Sequence, residues 1–214
     1  MIHIFVETNF VLEQVFTQKE AKWVQCIRDL LQKKPNLFKG YIPFFSFIEA
    51  FQKIDRVKFE RKNDFGLSNN AIDKMNGFTS SSYSDFMKKI ENIKTDIELL
   101  NKQEKSDCKK IINEIRTSQI LEIIPLYDKI YLIAESYREK NDLNFPDSLI
   151  AASFSDKIDT IKTEDFKRKI VITKDKKHFD DPAIKQILAG ALQFNSFEGG
   201  FNCCKQLEKT VVNP

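Results

Sequence analysis

Short continuous apolar runs alternate along this chain with stretches in which apolar residues recur every third or fourth position. The first run, Ile2 to Val6, is bounded by Glu7-Thr8-Asn9 and predicts a buried strand handing over to a helix. Thr8 or Asn9 can cap that helix, which passes through Phe10, Val11, Leu12, Val15 and Phe16. Ala21, Val24, Ile27, Leu30 and Leu31 space a second helix over Gln18 to Lys34, and Pro35 ends it. Tyr41-Ile42-Pro43 predicts a second strand, after which Ser46 can open a helix carrying Glu49 and Phe51.

The pattern then weakens. Arg56 to Ser84 is polar, contains Gly66, Gly77 and Ser80-Ser81-Ser82, and predicts a loop or irregular segment. From Asp85 to Arg116, Phe86, Ile90, Ile93, Ile97, Leu100, Ile111, Ile112 and Ile115 recur among alternating charges. That spacing predicts one long helix or a helical pair broken near Gln103, with a solvated face. Ile120 to Ile124 predicts a third strand, Ile130 to Tyr137 a helix, and Pro146 the start of another helix backed by Leu149, Ile150, Ala151, Ala152 and Phe154. Lys169 to Thr173 predicts a fourth strand; a Lys-rich turn, a short helix from Pro182 and a final short strand, Leu192 to Phe194, follow. Strands alternating with helices imply right-handed crossovers and a parallel sheet covered on both faces.

Composition narrows the class only slightly. The chain has 214 residues with 42% hydrophobic and 30% charged side chains, which suits one well-buried core. A formal charge of +3 excludes a strongly basic nucleic-acid binder, so any nucleic-acid contact has to come from a local patch. Cys26, Cys108, Cys203 and Cys204 show neither two-pair metal spacing nor a disulfide framework, which suggests reduced thiols. The chain starts directly on a strand, no run approaches membrane-spanning length, and the expectation is a cytoplasmic protein with no membrane partner. Trp23 and most of the nineteen Phe residues fall at helical spacing and are expected in the core.

Four acids are the candidate chemistry: Glu7, Glu49, Asp147 and Asp175. Each sits where a strand gives way to a helix, and ligands of open parallel sheets bind outside the carboxyl ends of the strands. Carboxylates converging there make the oxygen-rich cage that magnesium or manganese takes. Each acid also has a plainer reading. Glu7 and Asp147 favour helix N-termini through the dipole, Glu49 suits a helix surface, and Asp175 suits a turn, with Asp180 or Asp181 as alternative ligands.

Phe5-Val-Glu-Thr-Asn9, Glu49, Asp147-Ser-Leu-Ile-Ala-Ala152 and Ile172-Thr-Lys-Asp175 followed by Lys177-His178-Phe179 together resemble the PIN-domain ribonucleases. The resemblance covers the first fifty residues and roughly Ile120 to Phe194. It implies a single three-layer α/β/α PIN-like domain over residues 1–214, with a helical insertion or arm at about 56–116. It also implies that Glu7, Asp147, Asp175 and Glu49 hold one or two Mg2+ or Mn2+ ions, Glu49 through water or as an orienter of the attacking water. Thr8, Asn9 and Thr173 would hydrogen-bond the acids or the phosphate, and Lys174, Lys176, Lys177 and His178, beside Asp175, are candidates for binding backbone phosphates.

The implied activity is divalent-metal-dependent hydrolysis of RNA phosphodiester bonds. Several bacterial members of the family are toxins, which adds a protein antitoxin over the acidic cleft, or a homo-oligomer, to the expected partners. One departure stands out. The family's first acid is typically Asp, and Glu7 moves the carboxylate by about 1.5 Å, one carbon–carbon bond. A catalytically degenerate module binding RNA or a protein is therefore the rival expectation. A haloacid-dehalogenase-like phosphohydrolase would need a nucleophilic Asp after the first strand, which Glu7-Thr8-Asn9 does not supply.

Overall fold

The computed structural model describes residues 1–16, 19–73, 81–141, 143–161, 168–174 and 182–212. Five strands form one parallel sheet: β1 (Ile2–Val6), β2 (Phe38–Pro43), β3 (Leu121–Ile124), β4 (Lys169–Ile172) and β5 (Leu192–Phe194). Their order is β3-β2-β1-β4-β5, with Phe5 beside Tyr41 on one side and Val171 on the other. The eight helices among the described residues are α1 (Thr8–Val15), α2 (Ala21–Lys33), α3 (Phe44–Asp73), α4 (Ser81–Ser118), α5 (Asp128–Asn141), α6 (Phe145–Thr160), α7 (Pro182–Ile187) and α8 (Phe197–Val212). The result is a three-layer α/β/α arrangement. No helix among the described residues is long and apolar enough to cross a membrane.

Side-chain alternation along the strands sorts the two layers. Phe5, Tyr41, Ile124 and Val171 face α5, α6 and α7, where Phe154 meets Phe5 edge-on at 5.6 Å and Phe5 stacks on Tyr41 at 4.9 Å. The opposite face is covered by α1, α2 and α8. There Phe10 packs on Phe197 and the half-buried Trp23 on Phe201. Two glycines permit this packing. A Cβ on Gly40 would lie 2.3 Å from Leu121 and 2.9 Å from Leu31, and one on Gly200 would lie 2.4 Å from Ile172.

The chain divides into two compact units, residues Met1–Ala50 with Lys110–Pro214, and residues Phe51–Lys109. The second is an antiparallel helical arm built from α3 and α4, closed by Arg61 on Glu104 and Asn101 and by Lys105 on Asp55.

Several sequence expectations change here. Residues from Arg56 to Asp73 continue α3 rather than forming a loop; this stretch lacks an apolar stripe, and the i,i+4 pair Arg56–Glu60 and the clasp of Arg61 on Glu104 of α4 support it. Ser81-Ser82 opens α4, which runs unbroken through Gln103. Helix α3 starts at Phe44, so Ser46 is an interior residue and not its cap. Helix α8 was not anticipated; Ser196 caps it by accepting from Gly199 N (3.1 Å), and Glu20 accepts from Phe197 N (2.6 Å).

Candidate functional site

Strand order reverses between β1 and β4, so the crevice outside their carboxyl ends is the topological switch point where ligands of such sheets bind. Glu7 follows β1 directly and is only 3% exposed. Its Oε2 accepts from Asn9 N at 2.8 Å, so Glu7 itself caps α1, in place of the expected Thr8 or Asn9. Its Oε1 accepts from the Thr173 hydroxyl at 3.1 Å and from Lys174 N at 3.4 Å, both just beyond β4. One carboxylate thereby closes the switch point from both strands, and three donors together with the N-terminus of α1 stabilise its negative charge.

The neighbouring Thr8, fully buried, donates its hydroxyl to Glu49 Oε2. This bond draws the second turn of α3 to the first residue of α1, so Glu7, Thr8, Glu49, Thr173 and Lys174 form one connected cluster. Ser46 lies one helical turn before Glu49; its buried hydroxyl has no hydrogen-bond partner among the described residues. Asn9 contributes its backbone N–H to the cluster.

Asp147 reaches the same edge on α6. Lys169 Nζ at the start of β4 donates to Ile158 O (3.0 Å), which ties the C-terminal end of α6 to the amino edge of the sheet. The N-terminus of α6 therefore points to the carboxyl edge. Phe154 packs on Phe5, and the seven residues back to Asp147 rise about 10 Å along the helix. Asn144 caps α6 by accepting from Asp147 N at 3.0 Å, and its amide nitrogen donates back to Asp147 Oδ2. This reciprocal pair fixes the Asp147 carboxylate at the helix entrance.

The remaining candidates divide. Lys174, expected to meet phosphate, places its ammonium on Glu13, a 1%-exposed carboxylate in α1 that also accepts from Glu20 N at 3.1 Å. Glu13 was not singled out from sequence, and Ser46 was read there only as a helix opener. Glu13 follows the apolar run Phe10-Val11-Leu12 and precedes Val15-Phe16, which is the signal that could have drawn attention to it. Asp175, Lys176, Lys177, His178, Asp180 and Asp181 lie outside the described residues. Among the described residues, no three His, Cys, Asp or Glu side chains stand close enough together to hold a metal ion.

The amino edge of the sheet has a different character. His3 Nδ1 lies 3.0 Å from the Tyr41 hydroxyl, and Lys39 and Lys157 both pair with Glu122 and sit over the Tyr41 ring. Burial, then the positive N-terminus and lysines, push the His3 pKa down to about 4, and burial with Glu122 raises Tyr41 to about 12. Both groups are thus neutral at pH 7. This end of the sheet is a settled polar seam, whereas the carboxyl edge gathers acids.

Comparison with protein-family models, with curated proteins and with solved structures returned no match.

Proposed function

We propose that this chain is a divalent-metal-dependent endoribonuclease of PIN-like type, using Mg2+ or Mn2+. The observation that carries the reading is the cluster at the switch point, where Glu7 is held by Thr173 and Lys174 from β4 and Glu49 is held by Thr8. Its described donors are carboxylate and hydroxyl oxygens, the chemistry hard divalent cations take. Of the described acids, Glu7 and Glu49 belong to that set; Asp147 does not stand close enough to complete a three-ligand group with them, and the resemblance adds Asp147 and Asp175.

A bound cation would polarise a phosphate oxygen and lower the pKa of a water at neutral pH. The chain's own residues perform the rest. Glu7, immobilised by three donors, anchors the site. Thr8 fixes the rotamer of Glu49, which orients the attacking water. Asn144 steadies Asp147 at the entrance of α6. A toxin or defence role, with an antitoxin over the acidic edge, and homo-oligomerisation are extensions by analogy.

A second reading, a catalytically degenerate module that binds RNA or protein, is favoured by one specific observation. Glu7 already has three protein donors and serves as the cap of α1, so its carboxylate has a complete structural role without any metal. Cleavage of a mixed RNA pool by the purified chain decides between the two, run with manganese, magnesium or chelator. Metal-dependent cutting that Asp147→Asn abolishes supports the nuclease. A folded chain that leaves the pool intact under every metal supports the degenerate module.

A further inference from the structure

The helical arm leaves several apolar side chains uncovered. Among the described side chains of residues 51–109, the buried apolar ones are Ile54 and Cys108, while Phe59, Ile93, Leu99 and Leu100 are exposed. Two packed helices leave a groove along their seam, and a third helix is the usual way to cover one. A groove of about 300 Å³ lies between α3 and α4, lined by residues other than those four exposed ones. Phe65 and Ile97 form its floor, and Lys58, Lys62, Lys94 and Lys102 form its rim.

The rim sets the occupant's charge. Arg61 is engaged by Glu104, in a two-pronged contact at 2.6 and 2.9 Å. Among the described residues none of the four rim lysines has an ion-pair partner, and Glu98 is the one carboxylate lining the groove. From Lys94 to Lys102 the rim rises about 12 Å, the span of two helical turns. An apolar stripe at i, i+4 and i+7 on a docked helix covers the same length, and acids flanking it would meet the lysines.

We propose that this groove seats an acidic amphipathic helix of a partner protein. Single-stranded nucleic acid is the poorer fit. It needs successive aromatic faces for its bases, and among the described residues Phe65 is the one aromatic lining the groove, with the Glu98 carboxylate beside it. The proposal is independent of the nuclease reading, because every residue it uses belongs to the arm.

Selection from a displayed library of helical peptides on the full-length chain tests it. Enriched sequences should carry Glu or Asp on both sides of an apolar stripe. A synthetic peptide from that pool should lose about tenfold or more in affinity on Lys62→Glu with Lys94→Glu, and again on Ile97→Asp, and should stay within about twofold on Lys110→Glu. If Ile97→Asp fails to fold, the paired lysine variant still decides, since it alters only exposed side chains. Enriched peptides without acidic bias, or indifferent to the lysine variant, overturn the proposal. So does a concentration-dependent dimer in sedimentation that the lysine variant abolishes, which would make a second copy the occupant. An oligouridylate of about 12 nucleotides whose binding the lysine variant removes would overturn it in favour of nucleic acid.

Discussion

The helical arm is richer in charged and poorer in apolar residues than the sheet unit, and the two hold together by different means. In the sheet unit, rings and branched chains from the strands interlock with α5 and α6, as Phe5 does with Tyr41 and Phe154. In the arm, the buried contacts are largely polar: Arg61 bridges Glu104 and Asn101, and both partners are buried. A packed apolar core tolerates no change of volume. A hairpin clasped by ion pairs and half-covered apolar chains leaves room along its helices. The difference teaches where this protein is fixed and where it is free to vary.

The sharpest way to break that contrast is Phe5→Ala, which removes a ring from the middle of the sheet's core. About 3–5 kcal/mol of stability should be lost in denaturant unfolding. A loss below about 1 kcal/mol would mean the two regions are packed alike. Gly200→Ala comes next. Its Cβ would lie 2.4 and 2.5 Å from Ile172, so a loss of about 1–3 kcal/mol is expected from overpacking. Gly66→Ala in α3 should act in the opposite direction. Nothing lies within 4 Å of its added Cβ, and the helix should gain about 0.5–1 kcal/mol, visible as slower amide exchange in the arm.

The last effect is confined to acid pH and belongs to the half-buried His3. Its pKa is lowered to about 4 from an ordinary 6.5, so the unfolded chain binds the extra proton between those values and the folded chain resists it. Stability contributed by neutral His3 is therefore full above pH 6.5 and is lost as pH falls towards 4. His3→Gln should flatten the melting temperature across that window relative to the parent chain.

Legibility from sequence followed the same division. The strands of the sheet unit are short apolar runs between polar stops, and β1, β4 and β5 stand within a residue of where that pattern sets them. Asp147 could be put at a helix entrance because Pro146 marks it. Helix α3 could not be read beyond Arg56, because it has no apolar stripe and Gly66 mimics a break. Within the site, the positions of Glu7, Glu49 and Asp147 at element boundaries were visible, but their hydrogen bonds were not. Thr173 meets Glu7 across 166 residues, and no local pattern encodes such a distance. The same holds for Glu13, which periodicity would have turned into one more apolar position and which the fold uses to hold Lys174.

The central claim is that the carboxyl edge of the sheet holds a divalent cation, and manganese titration by calorimetry tests it most directly. The parent chain should bind manganese, and Glu7→Gln should weaken that binding at least tenfold while keeping the same circular dichroism spectrum. A folded parent chain that binds no manganese, or binds it equally well with Glu7→Gln, would contradict the account and leave Glu7 as a structural cap alone.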